Sequence, residues 1–203
     1  MVETPYIKEM REVRKMVIFG FGKRLIRVSY KAGHAIPDKR VLARFMKKPD
    51  GTLCGRTWEC AIPGKEGTIW QGGLYRVTMY FCEDYPSTPP ICKFTPRIPH
   101  PNVFSSGNVC LSTLSSIHWD PNMSPLKILF CLQQLLDEPN PESPANIADA
   151  NRLVNDPDEY NRRVVEFAAT YNHDTVKDQF KSERAMPAEL AVSTASNENN
   201  TSE

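Results

Sequence analysis

Hydrophobic and polar residues alternate in consecutive segments between residues 40 and 94, and a period of two is typical of half-buried strands. In "TWECAI", Trp58, Cys60 and Ile62 fall on one face and Glu59 falls on the other. The segments "RVLARFM", "LYRVTMYF" and "ICKF" complete the set, and short turns such as "KKPDGT" separate them. Short connections favour pairing between neighbouring strands, so the pattern predicts a four-stranded antiparallel meander.

A helical period replaces this alternation after residue 124. Ser124 and Pro125 form an N-cap and first-turn pair ahead of "LKILFCLQQLLDE". "PANIADANRLVN" is predicted as a second helix, and "DPDEYNRRVVEFAATYNHD" as a third whose apolar stripe is typical of core packing. A basic helix is predicted earlier, from Lys23 to Lys31, ahead of the meander. Helix, meander, long loop and helices in this order predict an α+β domain.

The composition suits one soluble domain, because 40% of the 203 residues are apolar and 24% are charged. We interpret residues 1–22 as an N-terminal extension, residues 23–180 as the domain, and residues 181–203 as a disordered polar tail. No apolar run approaches the length of a membrane span, and the charged start lacks the apolar core of a secretory signal. We therefore expect no membrane partner.

Six cysteines occur, but no Cys-x-x-Cys pair and no cysteine–histidine cluster with zinc spacing accompanies them. Cys60, Cys82 and Cys131 stand among apolar residues, and we interpret them as small buried side chains in a reducing compartment. We therefore expect no metal site, and a location in the nucleus and cytoplasm.

The net charge of +1 conceals an uneven distribution. Residues 1–48 hold thirteen Lys and Arg against four Asp and Glu, whereas residues 49–203 hold twelve against twenty. A basic leading segment indicates an acidic partner at that end. No nucleic-acid-binding signature accompanies it, so we expect a protein partner and no nucleic acid.

Residues 96–124 show no clear period, and a long ordered loop in a compact domain is usually functional. Within it, Cys110 has no packing pattern to explain it, so a reactive thiol gains weight against a disulfide, a metal ligand or a core residue. His100 precedes a proline in a rigid turn and is interpreted as structural rather than as a base. Asn102 has two compatible interpretations: its amide could donate to an oxyanion near Cys110, or it could tie up loop backbone.

The segment "HPNVFSSGNVCLSTL" resembles the active site of enzymes that conjugate ubiquitin and ubiquitin-like modifiers, in which His-Pro-Asn precedes a thioester-forming cysteine. The resemblance runs from about residue 24 to 175 and includes "WECAIPGKEGTIWQGGLY", "DYPSTPP" and "LQQLLDEPNPESPAN". It implies the ubiquitin-conjugating (UBC) fold and a transferase that needs neither metal nor cofactor. It also implies residue roles: Cys110 as nucleophile, Asn102 as oxyanion donor, His100 and Pro101 as scaffold, and a substrate-lysine groove lined by Phe104, Ser106, Ser143, Pro144 and Ala145.

Within this family the chain looks most like the SUMO-conjugating branch, because Trp70, "CKF" and Ser112 match that branch. This resemblance implies four kinds of partner: SUMO, its heterodimeric activating enzyme, SUMO ligases, and substrate proteins that offer a lysine. The basic leading segment contacts the modifier and the activating enzyme in that branch. The resemblance thus assigns that role, in a shifted pattern, to Lys23, Arg24, Arg27 and Lys31.

Among the departures from the usual pattern of the branch, two bear on the choice and activation of the lysine. Ile91 stands where a lysine usually helps to read the acidic residue of the target motif Ψ-K-x-E. Either Arg97 or Lys93 replaces it, or the motif is read only weakly. Ser143 stands in place of an aspartate that orients the incoming lysine, although Glu142 is next to it. We predict a SUMO-conjugating enzyme, with a ubiquitin-conjugating enzyme or an inactive binding module of the same fold as alternatives.

Overall fold

The computed structural model describes residues 26–27, 41–48 and 50–182, with side chains described for residues 41–48, 50–52 and 54–179. The N-terminal extension, residues 183–203 of the predicted tail, and Lys23, Arg24 and Lys31 lie outside the described residues. Only the backbone of Arg27 is described. None of the described helices is long and apolar enough to cross a membrane.

An antiparallel sheet forms the first half of the described chain. Its strands are β1 (Ile26–Arg27), β2 (Leu42–Lys47), β3 (Leu53–Pro63), β4 (Leu74–Tyr80) and β5 (Ile91–Phe94), and each pairs with the next. β2 to β5 are the four strands that the alternation predicts, in the predicted meander order. Trp58, Cys60 and Ile62 are each at most 1% exposed, which confirms the face assigned to the core.

The helix predicted over residues 23–31 is wrong at Ile26 and Arg27, which form the edge strand β1. Their backbone pairs antiparallel with residues 42–43 of β2. The sequence explains this, since the apolar residues of "IRVSY" recur at every second position (Ile26, Val28 and Tyr30), and the β-branched Ile26 and Val28 favour extended backbone. The edge of β2 supplies hydrogen-bond partners for the backbone of Ile26 and Arg27.

Four helices make up the second half: α1 (Pro125–Asp137), α2 (Ile147–Asn155), α3 (Pro157–Thr170) and α4 (His173–Ser182). The predicted cap of α1 is confirmed, because the Ser124 side chain accepts a hydrogen bond from the backbone N–H of Lys127. α2 begins at Ile147 rather than at Pro144, because Asn146 caps it by accepting from the N–H of Asp149.

The third predicted helix is in fact two helices. α3 ends at Thr170, and Asn172 then starts α4 by accepting hydrogen bonds from the backbone N–H groups of Asp174 and Thr175. α4 runs to Ser182, so residues 181 and 182, assigned above to the tail, are its last two residues.

A single cluster of buried residues joins one face of the sheet to α1 and α3. Aromatic, aliphatic and sulfur-containing side chains fill it, among them Trp58, Cys60, Val77, Met79, Phe94, Leu129, Leu132 and Val164. On the opposite face, Val176 of α4 packs against Leu42, Ala61 and Leu74. The sheet is thus a rigid support for the long loop that follows β5.

All six cysteines are free thiols in differing surroundings. Cys60 is buried and Cys131 is half-buried, but the interpretation of Cys82 as a buried side chain is wrong. Cys82 lies beyond the end of β4 in an exposed turn, where its sulfur is 2.6 Å from Thr88 Oγ1. Burial raises the pKa of the Cys92 thiol to about 12, so this cysteine is inert.

Candidate active site

The loop after β5 folds back along that strand and carries Cys110 with it. The backbone N–H of Phe94 donates to the carbonyl of Gly107, and the N–H of Val109 donates to the carbonyl of Cys92, both across 2.9 Å. The N–H of Gly107 also donates to the carbonyl of Phe104 at 2.8 Å, and this bond closes a turn over residues 104–107. Residues 107–109, within the segment that shows no clear period, therefore form a short, ordered addition to the sheet.

Gly107 is the residue that permits this turn. Its φ of +89° lies in the region that favours glycine. A Cβ at this position would approach the carbonyl oxygen of Phe94 to 2.4 Å, inside the van der Waals contact distance. A side chain here would push the returning strand away from β5.

Cys110 has a fixed backbone and an exposed side chain. Its N–H donates to the carbonyl of Asn102 at 2.9 Å, while the preceding residue, Val109, is bonded to β5 on the other side. The residue itself is exposed. A nucleophile that must meet a macromolecular carbonyl needs this combination of accessibility and a constrained position.

The side chain of Asn102 ties two loops together. It is 3% exposed, and its Nδ2 donates to the carbonyls of Asn140 at 2.8 Å and Ser143 at 3.2 Å. Its Oδ1 accepts from the N–H of Asn140 at 2.7 Å. Of the two interpretations of Asn102, the geometry shows the one in which it holds loop backbone, because both amide hydrogens are engaged there.

His100 is completely buried and bonded at both ring nitrogens. Nδ1 accepts from the backbone N–H of Asn102 at 3.0 Å, so Nε2 carries the proton and donates to the carbonyl of Leu135 of α1 at 2.9 Å. Burial lowers the pKa of His100 to about 4, and the indole of Trp70 packs 5.9 Å from the imidazole. These are the contacts of a neutral residue that holds a turn, with no route to Cys110 as a base.

The carbonyl of Pro101 links the same turn to the loop before α2. It accepts from the N–H groups of Ala145 and Asn146, both at 2.8 Å. Ser143 and Pro144 are exposed beside this contact and Ala145 is half-buried. On the other side, the turn that contains Phe104 and Ser106 is exposed as well. The residues of the predicted lysine groove thus lie on two loops that flank residues 100–102.

A buried ion pair fixes the segment that leads into this turn. Asp149 of α2 is 2% exposed and its carboxylate accepts from the guanidinium groups of Arg97 and Arg152. Asp149 thus holds Arg97, which makes Arg97 a poorer candidate than Lys93 for reading acidic targets. No sequence signal links these residues, which are 52 positions apart. An aspartate in the first turn of a helix is common for electrostatic reasons alone.

Within the described part of the chain, no three His, Cys, Asp or Glu side chains come together as a metal site.

A family model described as "Ubiquitin-conjugating enzyme" matches residues 37–168, which include β2 to β5, Cys110 and both flanking loops. The chain belongs to the ubiquitin-conjugating enzyme family. The α+β UBC fold and the conjugating-enzyme class, a class of transferases, are thereby confirmed.

Three curated members of the family are similar over most of this domain. A SUMO-conjugating enzyme of Caenorhabditis elegans (UBC9) is 46% identical over 139 residues, which cover 68% of this chain and 84% of that protein. A SUMO-conjugating enzyme of Arabidopsis thaliana (SCE1) is 48% identical over 125 residues, which cover 59% of this chain and 78% of that protein. A SUMO-conjugating enzyme of Dictyostelium discoideum (ubc9) is 44% identical over 123 residues, which cover 60% of this chain and 77% of that protein.

Proposed function

We propose that this chain is a SUMO-conjugating enzyme that accepts SUMO as a thioester on Cys110 and passes it to lysines of substrate proteins. The observation that carries the proposal is the exposed thiol of Cys110 on a backbone anchored to Asn102 on one side and, through Val109, to β5 on the other. The identity of 44–48% to three SUMO-conjugating enzymes supports SUMO as the modifier.

In the first step, the Cys110 thiolate attacks the thioester carbonyl that joins the C-terminal glycine of SUMO to a cysteine of the activating enzyme. A tetrahedral intermediate forms and collapses, so that the activating enzyme leaves as a thiolate and SUMO remains on Cys110. One thioester is exchanged for another, and no oxidant or cofactor takes part.

In the second step, the neutral amine of a substrate lysine attacks the thioester carbonyl on Cys110. The intermediate collapses to an isopeptide bond, Cys110 leaves as a thiolate, and the proton of the attacking amine passes to water. The side chain of Asn102 holds the loop that carries Ser143, and it reaches the oxyanion only by giving up its longer bond, to the Ser143 carbonyl. The neutral His100 supports the turn and does not compete as a base.

The partners of this cycle are SUMO, a heterodimeric activating enzyme, SUMO ligases and lysine-bearing substrates in the nucleus and cytoplasm. We assign contact with the modifier and the activating enzyme to the basic residues Lys23, Arg24, Arg27 and Lys31. Ser143 and Glu142 are the polar groups on the acceptor side, and both are exposed.

A loading assay tests the proposal. The full chain is mixed with ATP and with SUMO and its activating enzyme, or with ubiquitin and its own activating enzyme, and adducts are separated with and without reductant. We expect a reducible SUMO adduct that Cys110→Ala abolishes and that Cys82→Ala, which removes another exposed thiol, retains. An adduct that persists in Cys110→Ala defeats the assignment of the nucleophile. Loading by ubiquitin alone would make the chain a ubiquitin-conjugating enzyme.

A further inference from the structure

An apolar pair of side chains stands exposed on the sheet beside the reactive cysteine. Tyr80 of β4 and Ile91 of β5 are cross-strand partners, and they are 40% and 59% exposed respectively. Residues directly opposite in an antiparallel pair point to the same side of the sheet, so these two side chains form one continuous apolar surface.

The register of the returning loop places Cys110 in line with this pair. Lys93 of β5 bridges antiparallel to Asn108, and the N–H of Val109 donates to the carbonyl of Cys92. Two residues further along, the same register sets Ile91 opposite Cys110, on the same side of the sheet. Tyr80, Ile91 and Cys110 therefore form a row across three neighbouring backbone segments.

The spacing of this row suits a polypeptide that presents a lysine to Cys110. Neighbouring strands lie about 4.8 Å apart, so the apolar pair begins about 5 Å from the reactive residue and ends about 10 Å from it. In an extended segment, side chains two residues apart face the same way and are separated by about 7 Å. When the lysine of an extended acceptor segment lies at Cys110, the side chain two residues from that lysine can lie over Ile91 and Tyr80.

The chemistry of the row selects an apolar side chain at that position. Neither Tyr80 nor Ile91 carries charge, and covering them with a hydrophobic group removes apolar surface from water on both sides. A carboxylate there would lose hydration with no cation opposite it in the row. Lys93, which points to the same side of β5, is opposite Asn108 in the next row.

We propose that Tyr80 and Ile91 are specificity-determining residues that select acceptor segments with an apolar side chain two residues from the modified lysine. This inference rests on the proposed transferase function. It names the substrate class of the same site: lysines in extended, apolar-flanked segments rather than in acidic ones.

Single-turnover discharge tests this proposal. The full chain loaded with SUMO is mixed with synthetic peptides that carry one lysine in a Gly/Ser background, with Leu, Ala or Glu placed two residues before or after it. Rates are normalised to discharge onto free lysine, so that changes in thioester reactivity cancel. We expect a Leu peptide to react about tenfold faster than its Glu counterpart, which corresponds to about 1.4 kcal/mol.

Variants locate the preference. Ile91→Lys should reverse the ratio in favour of Glu, and Tyr80→Ser should bring the rate of the Leu peptide down to that of the Ala peptide. Val165→Lys is the matched control, because it introduces the same charge at an exposed apolar position on α3, outside the sheet. It should leave the ratio as in the wild type.

The outcomes separate two failures. If SUMO loads onto Cys110 and the Leu and Glu peptides differ by less than twofold, or if Ile91→Lys leaves the ratio unchanged, the apolar row does not select acceptors and this proposal is overturned. If neither SUMO nor ubiquitin loads onto Cys110, the proposed function fails first, and this inference falls with it.

Discussion

The backbone N–H of Cys110 donates to the carbonyl of Asn102 across 2.9 Å, yet the two residues occupy opposite environments. Cys110 is exposed, whereas the amide of Asn102 is buried against the backbone of Asn140 and Ser143. The reactive residue is thus held in place by a residue whose own side chain is committed to another loop. A change that weakens the loops at residues 140–143 should therefore also shift the thiol of Cys110.

Replacing Asn102 with Ala should weaken both loops. Three hydrogen bonds are lost and the backbone groups of Asn140 are left without them, which we expect to lower the free energy of unfolding by about 2 kcal/mol. For a domain of this size, that corresponds to a fall of roughly 4–8 °C in the melting temperature. Loading of Cys110 should persist, while discharge onto lysine falls by at least about tenfold.

Asn108→Ala is the control for this experiment, because Asn108 is exposed in the same loop. Its unfolding free energy should stay within about 0.5 kcal/mol of the wild type. A normal melting temperature in Asn102→Ala would show that the hydrogen bonds to residues 140–143 contribute little, and that oxyanion donation is the main task of this side chain.

His100 should make the protein less stable as the solution becomes acidic. Because burial lowers its pKa from 6.5 to about 4, the unfolded chain binds the proton first as the pH falls. The contribution of the neutral imidazole is complete above pH 6.5 and is lost between about pH 6.5 and 4, amounting to about 3 kcal/mol. Urea denaturation across this range measures the slope, which His100→Asn should remove.

An NMR titration of the imidazole provides a direct check on the same point. A ring that titrates near pH 6.5 in the folded protein would contradict the buried, neutral state. It would also reopen the possibility that this histidine exchanges protons with the site.

Gly107→Ala should disturb the return of the loop to β5. The substitution places a Cβ against the carbonyl of Phe94 and forces alanine into a positive φ. Gly51→Ala is a matched control, since its φ is +81° and a Cβ there meets nothing within 4 Å. We expect the control to lose about 1 kcal/mol of unfolding free energy from conformation alone, and Gly107→Ala to lose at least about twice that. Equal losses would mean that the loop shifts freely away from β5.

Asp149→Leu should leave Arg97 and Arg152 without their common partner. Both guanidinium groups are partly exposed and can turn towards water, so we expect a loss of about 2 kcal/mol rather than the larger value for fully buried pairs. Adding Arg97→Leu should restore part of that loss, because an apolar contact replaces the ion pair. A double-mutant cycle in urea measures the coupling, and strictly additive effects would show that Arg97 and Asp149 do not stabilise each other.

The strands and the reactive cysteine were accessible from the sequence for different reasons. The sheet faces follow from strict alternation, as at Trp58, Cys60 and Ile62, because each side chain points away from its neighbour along the chain. Cys110 stood out because it lacked such a pattern. Both are local properties of a short segment, and both can be read from a single chain.

What the sequence did not reveal depends on contacts between distant residues. The hydrogen bonds of Asn102 reach residues 38 and 41 positions away, and the partner of Arg97 is 52 positions away. The break between α3 and α4 did have a local signal, the capping residue Asn172, but the apolar stripe that continues to Tyr171 concealed it. The strand at Ile26 has a local signal as well, the alternation of Ile26, Val28 and Tyr30, but the basic residues around it are equally typical of an exposed helix.

The carbonyl of Pro101, held by the N–H groups of Ala145 and Asn146, has a consequence for how acceptors reach Cys110. With both lone pairs occupied, this carbonyl clamps the two loops together, so neither can swing independently to narrow or widen the approach to the thiol. The opening that leads to the thiol therefore keeps the same width when an acceptor enters. An acceptor therefore gains nothing from closure around it, and the entropy of ordering the lysine segment falls on the acceptor itself. Segments that are already extended should be modified faster than flexible ones of the same composition.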